Sequence, residues 1–343
     1  MNDLRIVLLG KTGDGKSSCA NTILNEDVFP IGHLSISETH KCESRTKLIN
    51  EKEISVVDTP GLFVTSLPEK ELKSEILRCI VECAPGPHAF VIVLRVGRYT
   101  DQEKEIVNKL TAAFGEEALK YAVVLFTHGD QLSEDQRIED FVKQSTELQG
   151  LVDKCGGRVH VIDNKYWNQQ QDEYRNNRVQ VEKLLKTIEE MVRKNGGLCY
   201  SNEILQEVNR AIEVECENII RNNNEESQDV NNVIQQAKQR VHTKLSVRLV
   251  GVTVGALLGA LLGFGAALDV SYTVAQVVPP QAAACVFGSA IIAGSVAGAV
   301  VGGCVGYKAV EGAETLTEAM KRSAKVVWEY EKIEQLIKRF QKI

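Results

Sequence analysis

The stretch Arg5-Ile-Val-Leu-Leu-Gly-Lys-Thr-Gly-Asp-Gly-Lys-Ser17 decides the fold, because an apolar run passes directly into the spacing GxxxxGK[ST]. This spacing predicts a strand, a glycine-rich loop and a helix that begins near Lys16. The backbone N–H groups of such a loop and the positive end of the helix can hold phosphate. The residues assigned to phosphate are Gly10, Lys11, Thr12, Gly13, Asp14, Gly15, Lys16, Ser17 and Ser18. Lys16 would reach the β- and γ-phosphates, and the Ser17 hydroxyl would bind Mg²⁺. The alternative is a glycine-rich turn without this role.

Four further apolar runs follow along the chain, and helix-like segments separate them. Continuous apolar strands are typical of a parallel sheet that helices cover on both faces. The sequence therefore predicts a doubly wound, mostly parallel α/β domain over residues 1–195. The predicted strands are Arg5–Leu9, Ile54–Val57, Ala89–Leu94, Tyr121–Phe126 and Arg158–Ile162, and the predicted helices include Glu69–Cys83, Thr100–Phe114 and Asn176–Val192.

A second motif, Val56-Val-Asp-Thr-Pro-Gly61, follows the glycine-rich loop by about forty residues. Asp58 would hold Mg²⁺ through water, and the N–H of Gly61 would contact the γ-phosphate. Between the two motifs, the Thr39 hydroxyl is expected to close over Mg²⁺ when a nucleoside triphosphate is bound. Ser35 and Ser37 are the alternative hydroxyls, and an ordinary turn after a strand is the alternative for the second motif.

A third motif, Phe126-Thr-His-Gly-Asp130, follows another apolar strand. The Asp130 carboxylate could accept from N1–H and the exocyclic amine of guanine, with Thr127 and His128 beside the base. Asn164, after the next strand, could contact the edge of the base. The alternative for Asp130 is an acidic residue that caps a helix or a turn.

Together these motifs resemble the GIMAP (immunity-associated, AIG-type) GTPases, in the septin-like branch of P-loop GTPases. The resemblance covers about residues 1–195 and rests on Arg5–Ser18, Thr39–Cys42, Val56–Phe63, Pro85–Thr100, Phe114–Ala118 and Thr127–Asp130. It implies GTP and GDP as ligands, Mg²⁺ as cofactor and a role in immune or cell-survival regulation. It also implies a homodimer or oligomer through the nucleotide face, or pairing with other family members. Two motifs depart from the family pattern: Thr-His-Gly-Asp, and the sequence around Asn164.

Leu62 occupies the position where Ras-type enzymes place a glutamine that orients the attacking water. Leucine cannot bind that water, so slow hydrolysis is expected of a monomer. By resemblance, Arg98 is the catalytic candidate, because it could reach across a dimer as an arginine finger. The alternative is a solvated arginine just before a helix N-cap at Thr100.

The carboxyl-terminal part contains two uncharged segments, twenty residues at 249–268 and twenty-six at 282–307. Glycines four residues apart, at 251, 255, 259 and 263, would give a helix a smooth face for close packing. We expect a helical extension over 196–245, an apolar hairpin that anchors the chain in lipid over 246–310, and an amphipathic helix over 311–343. Because the turn at 269–281 has no Lys or Arg, both flanks should face the cytosol on an intracellular membrane. A buried hairpin of a soluble protein is the alternative.

Composition bears on the partners and on the cellular compartment of the protein. The 343 residues carry a net charge of −6. A protein that binds nucleic acid through its overall positive charge is therefore not expected. The nine cysteines form no CxxC pair and no zinc spacing, and the first apolar run is too short for a signal peptide, so a reducing cytosol is expected.

The leading hypothesis is a membrane-anchored GTPase switch whose hydrolysis depends on dimerisation. The alternatives are a non-hydrolysing scaffold controlled by GTP and an effector that permeabilises membranes through the hairpin.

Overall fold

The computed structural model describes residues 3–31, 41–61, 68–101, 104, 116–168, 172–222, 230–248 and 257. It contains a six-stranded sheet in the order β2-β3-β1-β4-β5-β6. The strands are β1 (Asp3–Leu9), β2 (Glu43–Ile49), β3 (Lys52–Asp58), β4 (Ala89–Arg95), β5 (Ala122–Thr127) and β6 (Val159–Val161). Every neighbouring pair is parallel except β2 with β3. The predicted mostly parallel sheet is therefore confirmed.

Helices alternate with these strands along the chain, and further helices follow the last strand in the sequence. They are α1 (Lys16–Leu24), α2 (Glu69–Cys83), α3 (Glu116–Leu119), α4 (Ile138–Val142), α5 (Thr146–Lys154), α6 (Asn177–Lys194), α7 (Glu203–Asn222) and α8 (Val230–Arg248). Burial explains the apolar strands, because every residue of β5 and the first six of β4 are buried. On one face, α1 and α6 contribute Ile23, Leu184 and Ile188 to a core that also contains Ile6 and Val91.

The chain divides into two compact units, and the first extends through Asn202. Tyr200 explains why the first unit continues past residue 195. Its side chain is 5% exposed and packs edge-on against Phe90, with ring centroids 5.3 Å apart, and against Tyr121 at 5.8 Å. In the second unit, α7 and α8 pack together, and Glu215 of α7 forms ion pairs with Lys244 and Arg240 of α8.

Several expectations fall on residues that lie outside the described part of the chain. They are most of the predicted helix 100–114, nearly all of the hairpin 246–310 and the whole of the amphipathic segment 311–343. Within the ranges given above, no helix combines the length and the apolar character that crossing a membrane requires.

The sheet positions the site, because β1, β3, β4 and β5 all end at one edge. Leu8 of β1 lies opposite Asp58 of β3, and Arg95 of β4 lies opposite Thr127 of β5. In a doubly wound sheet, ligands bind at the carboxyl ends of the parallel strands. The three sequence motifs therefore meet at the edge where a ligand is expected.

Candidate nucleotide-binding site

The glycine-rich loop joins β1 to α1. Gly15 precedes the helix with φ of 82°, in the left-handed region that side chains other than glycine adopt at a cost. The Lys16 side chain turns back across the loop, and its Nζ donates to the carbonyl oxygens of Gly10 (3.2 Å) and Lys11 (2.9 Å). Burial lowers the pKa of Lys16, and the carboxylates of Asp58 and Asp14 oppose that shift. The loop therefore holds a nearly buried ammonium group where phosphate is expected.

Ser17 and Asp58 join the first motif to the second. The Ser17 hydroxyl donates to Asp58 Oδ2 at 2.5 Å, and Asp58 is only 1% exposed. Its other oxygen, Oδ1, is buried and has no hydrogen-bond partner among the described residues. Burial raises the pKa of Asp58, while the hydrogen bond from Ser17 and the Lys16 charge lower it. Mg²⁺ takes oxygen ligands, often one or two protein groups together with substrate phosphates, so this hydroxyl and this carboxylate fit Mg²⁺.

The turn after β3 is pressed against the glycine-rich loop. The Thr59 hydroxyl donates to the carbonyl oxygen of Leu8 at 2.7 Å, which fixes the turn to β1. A Cβ at Gly61 would lie 2.7 Å from the backbone nitrogen of Thr12, so no side chain fits there. The structure thus brings Gly61 to the loop, and its contact with phosphate stays a prediction. Thr39 lies outside the described residues.

Thr127 connects the third motif to the glycine-rich loop. Its side chain is fully buried, and its hydroxyl donates to the carbonyl oxygen of Asp14 at 3.0 Å. The same hydroxyl lies 2.9 Å from Nδ1 of His128, which has a left-handed backbone with φ of 58°. Burial lowers the pKa of His128, and the charge of Arg95 lowers it further, so the neutral imidazole is favoured. Thr127 therefore aligns the two loops with each other.

Asp130 lies in a short 3-10 turn over Gly129–Gln131 and is partly exposed. Its backbone N–H donates to Asp163 Oδ2 at 3.3 Å, and Asp163 Oδ1 accepts from the N–H groups of Lys165 (2.9 Å) and Tyr166 (2.6 Å). Burial raises the pKa of Asp163, but these hydrogen bonds outweigh it and the net shift is downward. Asp163 was not among the site residues predicted from the sequence. An aspartate that begins a turn after a strand is the signal that could have identified it.

Asn164 and Arg98 occupy different surroundings. Asn164 Oδ1 accepts from the Thr22 hydroxyl of α1 at 2.9 Å, and a Cβ at Gly15 would lie 3.3 Å from Asn164 Nδ2. Asn164 is therefore next to the glycine-rich loop, on the same side as the predicted base site. Arg98 is exposed, three residues after β4 ends at Arg95. The structure thus presents Arg98 to solvent, which is compatible with either interpretation of this residue.

The AIG1 family model matches residues 4–220. Immune-associated nucleotide-binding protein 9 of Arabidopsis thaliana is 33% identical over 207 residues, which cover 59% of this chain and 59% of that protein. GTPase IMAP family member 8 of Homo sapiens is 31% identical over 202 residues, which cover 59% of this chain and 30% of that protein. Toc33 from Arabidopsis thaliana, crystallised with GDP and Mg²⁺, is 19% identical with a TM-score of 0.44, covering 57% of this chain and 86% of that one.

The two curated relatives are longer than the region they share with this chain, which spans 59% of one and 30% of the other. The family model nevertheless matches well over half of the 343 residues, from β1 almost to the end of α7. The resemblance drawn from the motifs is thereby confirmed, and the chain belongs to the AIG1 family.

Proposed function

We propose that this chain binds GTP and GDP with Mg²⁺ and works as a GTPase switch. The observation that carries the proposal is the contact between Ser17 and Asp58. The second Asp58 oxygen is buried and has no donor within the described part of the chain, and Lys16 folds over the same loop. When bound, Mg²⁺ would neutralise phosphate charge. The protein contributes the loop N–H groups, the Lys16 ammonium and the Gly61 N–H, which orient the phosphates.

Asp130 supports guanine as the base. The turn that carries it is held by two hydrogen bonds, one from the Thr127 hydroxyl to the glycine-rich loop and one from the Asp130 N–H to Asp163. A carboxylate so fixed can accept two parallel hydrogen bonds from N1–H and the exocyclic amine of guanine. Adenine offers no matching pair of donors. The contact of Asn164 with the base remains a prediction. Asn164 lies beside Gly15 of the glycine-rich loop.

The test exchanges the acceptor for an amide. Asp130→Asn reverses part of the hydrogen-bonding pattern, so the variant should prefer xanthine nucleotides and lose about tenfold or more of its affinity for GDP. Equilibrium titration of labelled GDP and XDP measures both. The matched control is Asp140→Asn, an exposed carboxylate on α4. Unchanged GDP affinity in Asp130→Asn would place base recognition elsewhere.

Hydrolysis is proposed to depend on a second copy of the chain, or on another family member, paired through the nucleotide face. Two features of the sequence and structure support this. Leu62 stands where a water-orienting glutamine would be needed, and Arg98 is exposed beyond the end of β4. An arginine placed on the transferring phosphoryl group can supply the missing charge. Leu62 also favours the second candidate, a GTP-controlled scaffold that does not hydrolyse its nucleotide.

We further propose that residues 246–310 anchor the chain to the cytosolic face of an intracellular membrane. The support is the pair of uncharged segments, each long enough to cross about 30 Å of hydrocarbon. The immune or cell-survival role rests on family resemblance alone. A permeabilising action of the hairpin is the alternative, which leakage from liposomes would reveal.

A further inference from the structure

Trp167 is a large buried side chain in the turn that follows β6, outside the sheet and outside every motif of the sequence analysis. It is 2% exposed. Its indole ring packs against Tyr174, with ring centroids 6.0 Å apart. The Tyr174 hydroxyl in turn accepts from the Ile138 N–H at 2.8 Å, and Arg137 lies over the Tyr174 ring at 4.9 Å. Tyr174 therefore links the indole to the start of α4.

The indole also contacts the turn that carries Asp130. A Cβ at Gly129 would lie 2.6 Å from Cζ2 and 2.9 Å from Cζ3 of Trp167, so the backbone of Gly129 is in direct contact with the ring. Gly129 itself is fixed at its N–H, which donates to the carbonyl oxygen of Ile162 at 3.1 Å. Asp130 is the next residue. Its backbone position is therefore set by two contacts, the indole against Gly129 and the hydrogen bond from the Asp130 N–H to Asp163.

We propose that Trp167 is a positioning residue for base recognition, holding the Gly129–Asp130 turn where the Asp130 carboxylate can meet both donors of guanine. This inference rests on the proposed function, because it takes Asp130 as the guanine acceptor. The indole occupies the space that a side chain at position 129 would need, so only glycine fits beneath it.

The experiment measures base selectivity, which a loss of general stability would not change. Inosine diphosphate lacks the exocyclic amine of guanine, so the ratio of IDP to GDP dissociation constants reports the second hydrogen bond to Asp130. That ratio should be about ten in the wild-type protein. Gly129→Ala pushes the indole or the turn aside and should bring the ratio close to one. Gly150→Ala is the control, because a Cβ there meets nothing within 4 Å.

Rescue provides the decisive comparison. Trp167→Phe removes the outer part of the ring that the new methyl group would meet. The double variant Gly129→Ala with Trp167→Phe should therefore recover the ratio to within about threefold of wild type. An unchanged ratio in Gly129→Ala, or no recovery in the double variant, overturns the positioning role.

Two further results complete the test. If Gly129→Ala has no cooperative thermal transition, Trp167→Phe alone decides, with about a threefold fall in the ratio expected and an unchanged ratio overturning the proposal. If the wild-type protein does not distinguish GDP from IDP and Asp130→Asn does not change the preference, guanine recognition by Asp130 fails, and the role of Trp167 fails with it. A preference that depends on Asp130 but persists in Gly129→Ala overturns only the role of Trp167.

Discussion

At the scale of single residues, His160 shows how burial couples stability to pH. It lies on β6, with Nε2 2.9 Å from the Thr187 hydroxyl of α6. Burial lowers the pKa of His160 from 6.5 to about 4, and the Lys183 charge acts in the same direction. Between these two values the unfolded chain binds a proton that the folded chain does not. The free energy of unfolding must therefore rise with pH across this window and fall as the solution is acidified.

We predict that His160→Gln removes this contribution while keeping a polar group near Thr187. As the pH falls from about 7 to about 4, the variant should gain up to about 3 kcal/mol relative to the wild-type protein, because only the wild type carries the penalty. Urea unfolding at several pH values measures the difference. Parallel pH curves for the two proteins would show that His160 does not contribute. The difference between the proteins cancels the titration of the other groups.

The sequence predicted site residues where motif spacing is local, and missed those that depend on tertiary contacts. Lys16, Ser17 and Asp58 stand at fixed positions after apolar strands, so their types and spacing alone indicate phosphate and Mg²⁺. Asp163 and Trp167 act on the Asp130 turn across more than thirty residues of sequence. No periodicity or short motif records such a contact, because it arises only when β5 and β6 pair.

At the scale of elements, the buried strands were predictable and the edge strand was not. β1, β3, β4 and β5 are apolar because most of their residues are buried, and the predicted strands fall within them or within one residue of their ends. β2 reads Glu-Ser-Arg-Thr-Lys-Leu-Ile, with no buried residue. Among the described strands it pairs with β3 alone, at the edge of the sheet. Charged residues are common on edge strands, where they discourage pairing with other chains, so the apolar pattern is missing there.

Glu75 joins two elements and gives a prediction at this scale. On α2 it is 7% exposed, and its Oε2 accepts from the backbone N–H of Cys42, just before β2, at 2.8 Å. Glu75→Ala leaves that buried N–H without its acceptor and should lower the free energy of unfolding by about 1–3 kcal/mol. Glu75→Gln retains an acceptor oxygen and should lose less. Chemical denaturation of both variants measures the difference.

The control for this prediction lies on the same helix. Glu71 is exposed on α2, so Glu71→Ala changes the charge of the helix but removes no buried hydrogen bond. If Glu75→Ala and Glu71→Ala destabilise the protein equally, the contact between α2 and the start of β2 is not what stabilises this junction.

At the scale of the whole molecule, an experiment on Arg98 can distinguish a GTPase switch from a scaffold that does not hydrolyse GTP. If hydrolysis needs an arginine from a second copy, turnover per chain must increase with protein concentration. Arg98→Ala should then reduce the turnover of the concentrated protein by roughly 10³-fold or more. Arg193→Ala, an exposed arginine at the end of α6, is the control. Phosphate release measured against concentration decides, and no turnover at any concentration would favour the scaffold.

The two apolar segments are the proposed membrane anchor, and a substitution within them tests that proposal. Their many glycines and alanines make them only moderately apolar, so a single charge should have a large effect on insertion. Leu258, inside the first segment, is the position to test. Arginine at the bilayer centre costs about 2.5–3.5 kcal/mol, whereas Leu258→Phe preserves the apolar character. Leu258→Arg should therefore move the chain from the membrane pellet to the supernatant after carbonate extraction, and Leu258→Phe should not.

The same fractionation can contradict the anchor. If the wild-type chain is already extracted by carbonate, whatever nucleotide is bound, the segments pack within the protein and the hairpin is not an anchor. Leakage would instead indicate the permeabilising action if it occurs from liposomes with the wild-type chain and does not occur from liposomes with the Leu258→Arg variant.

An anchor holds many chains on one surface and so raises their local concentration. Because dimer-dependent hydrolysis responds to that concentration, release by Leu258→Arg should also lower turnover in the presence of membranes, while leaving turnover in concentrated solution unchanged.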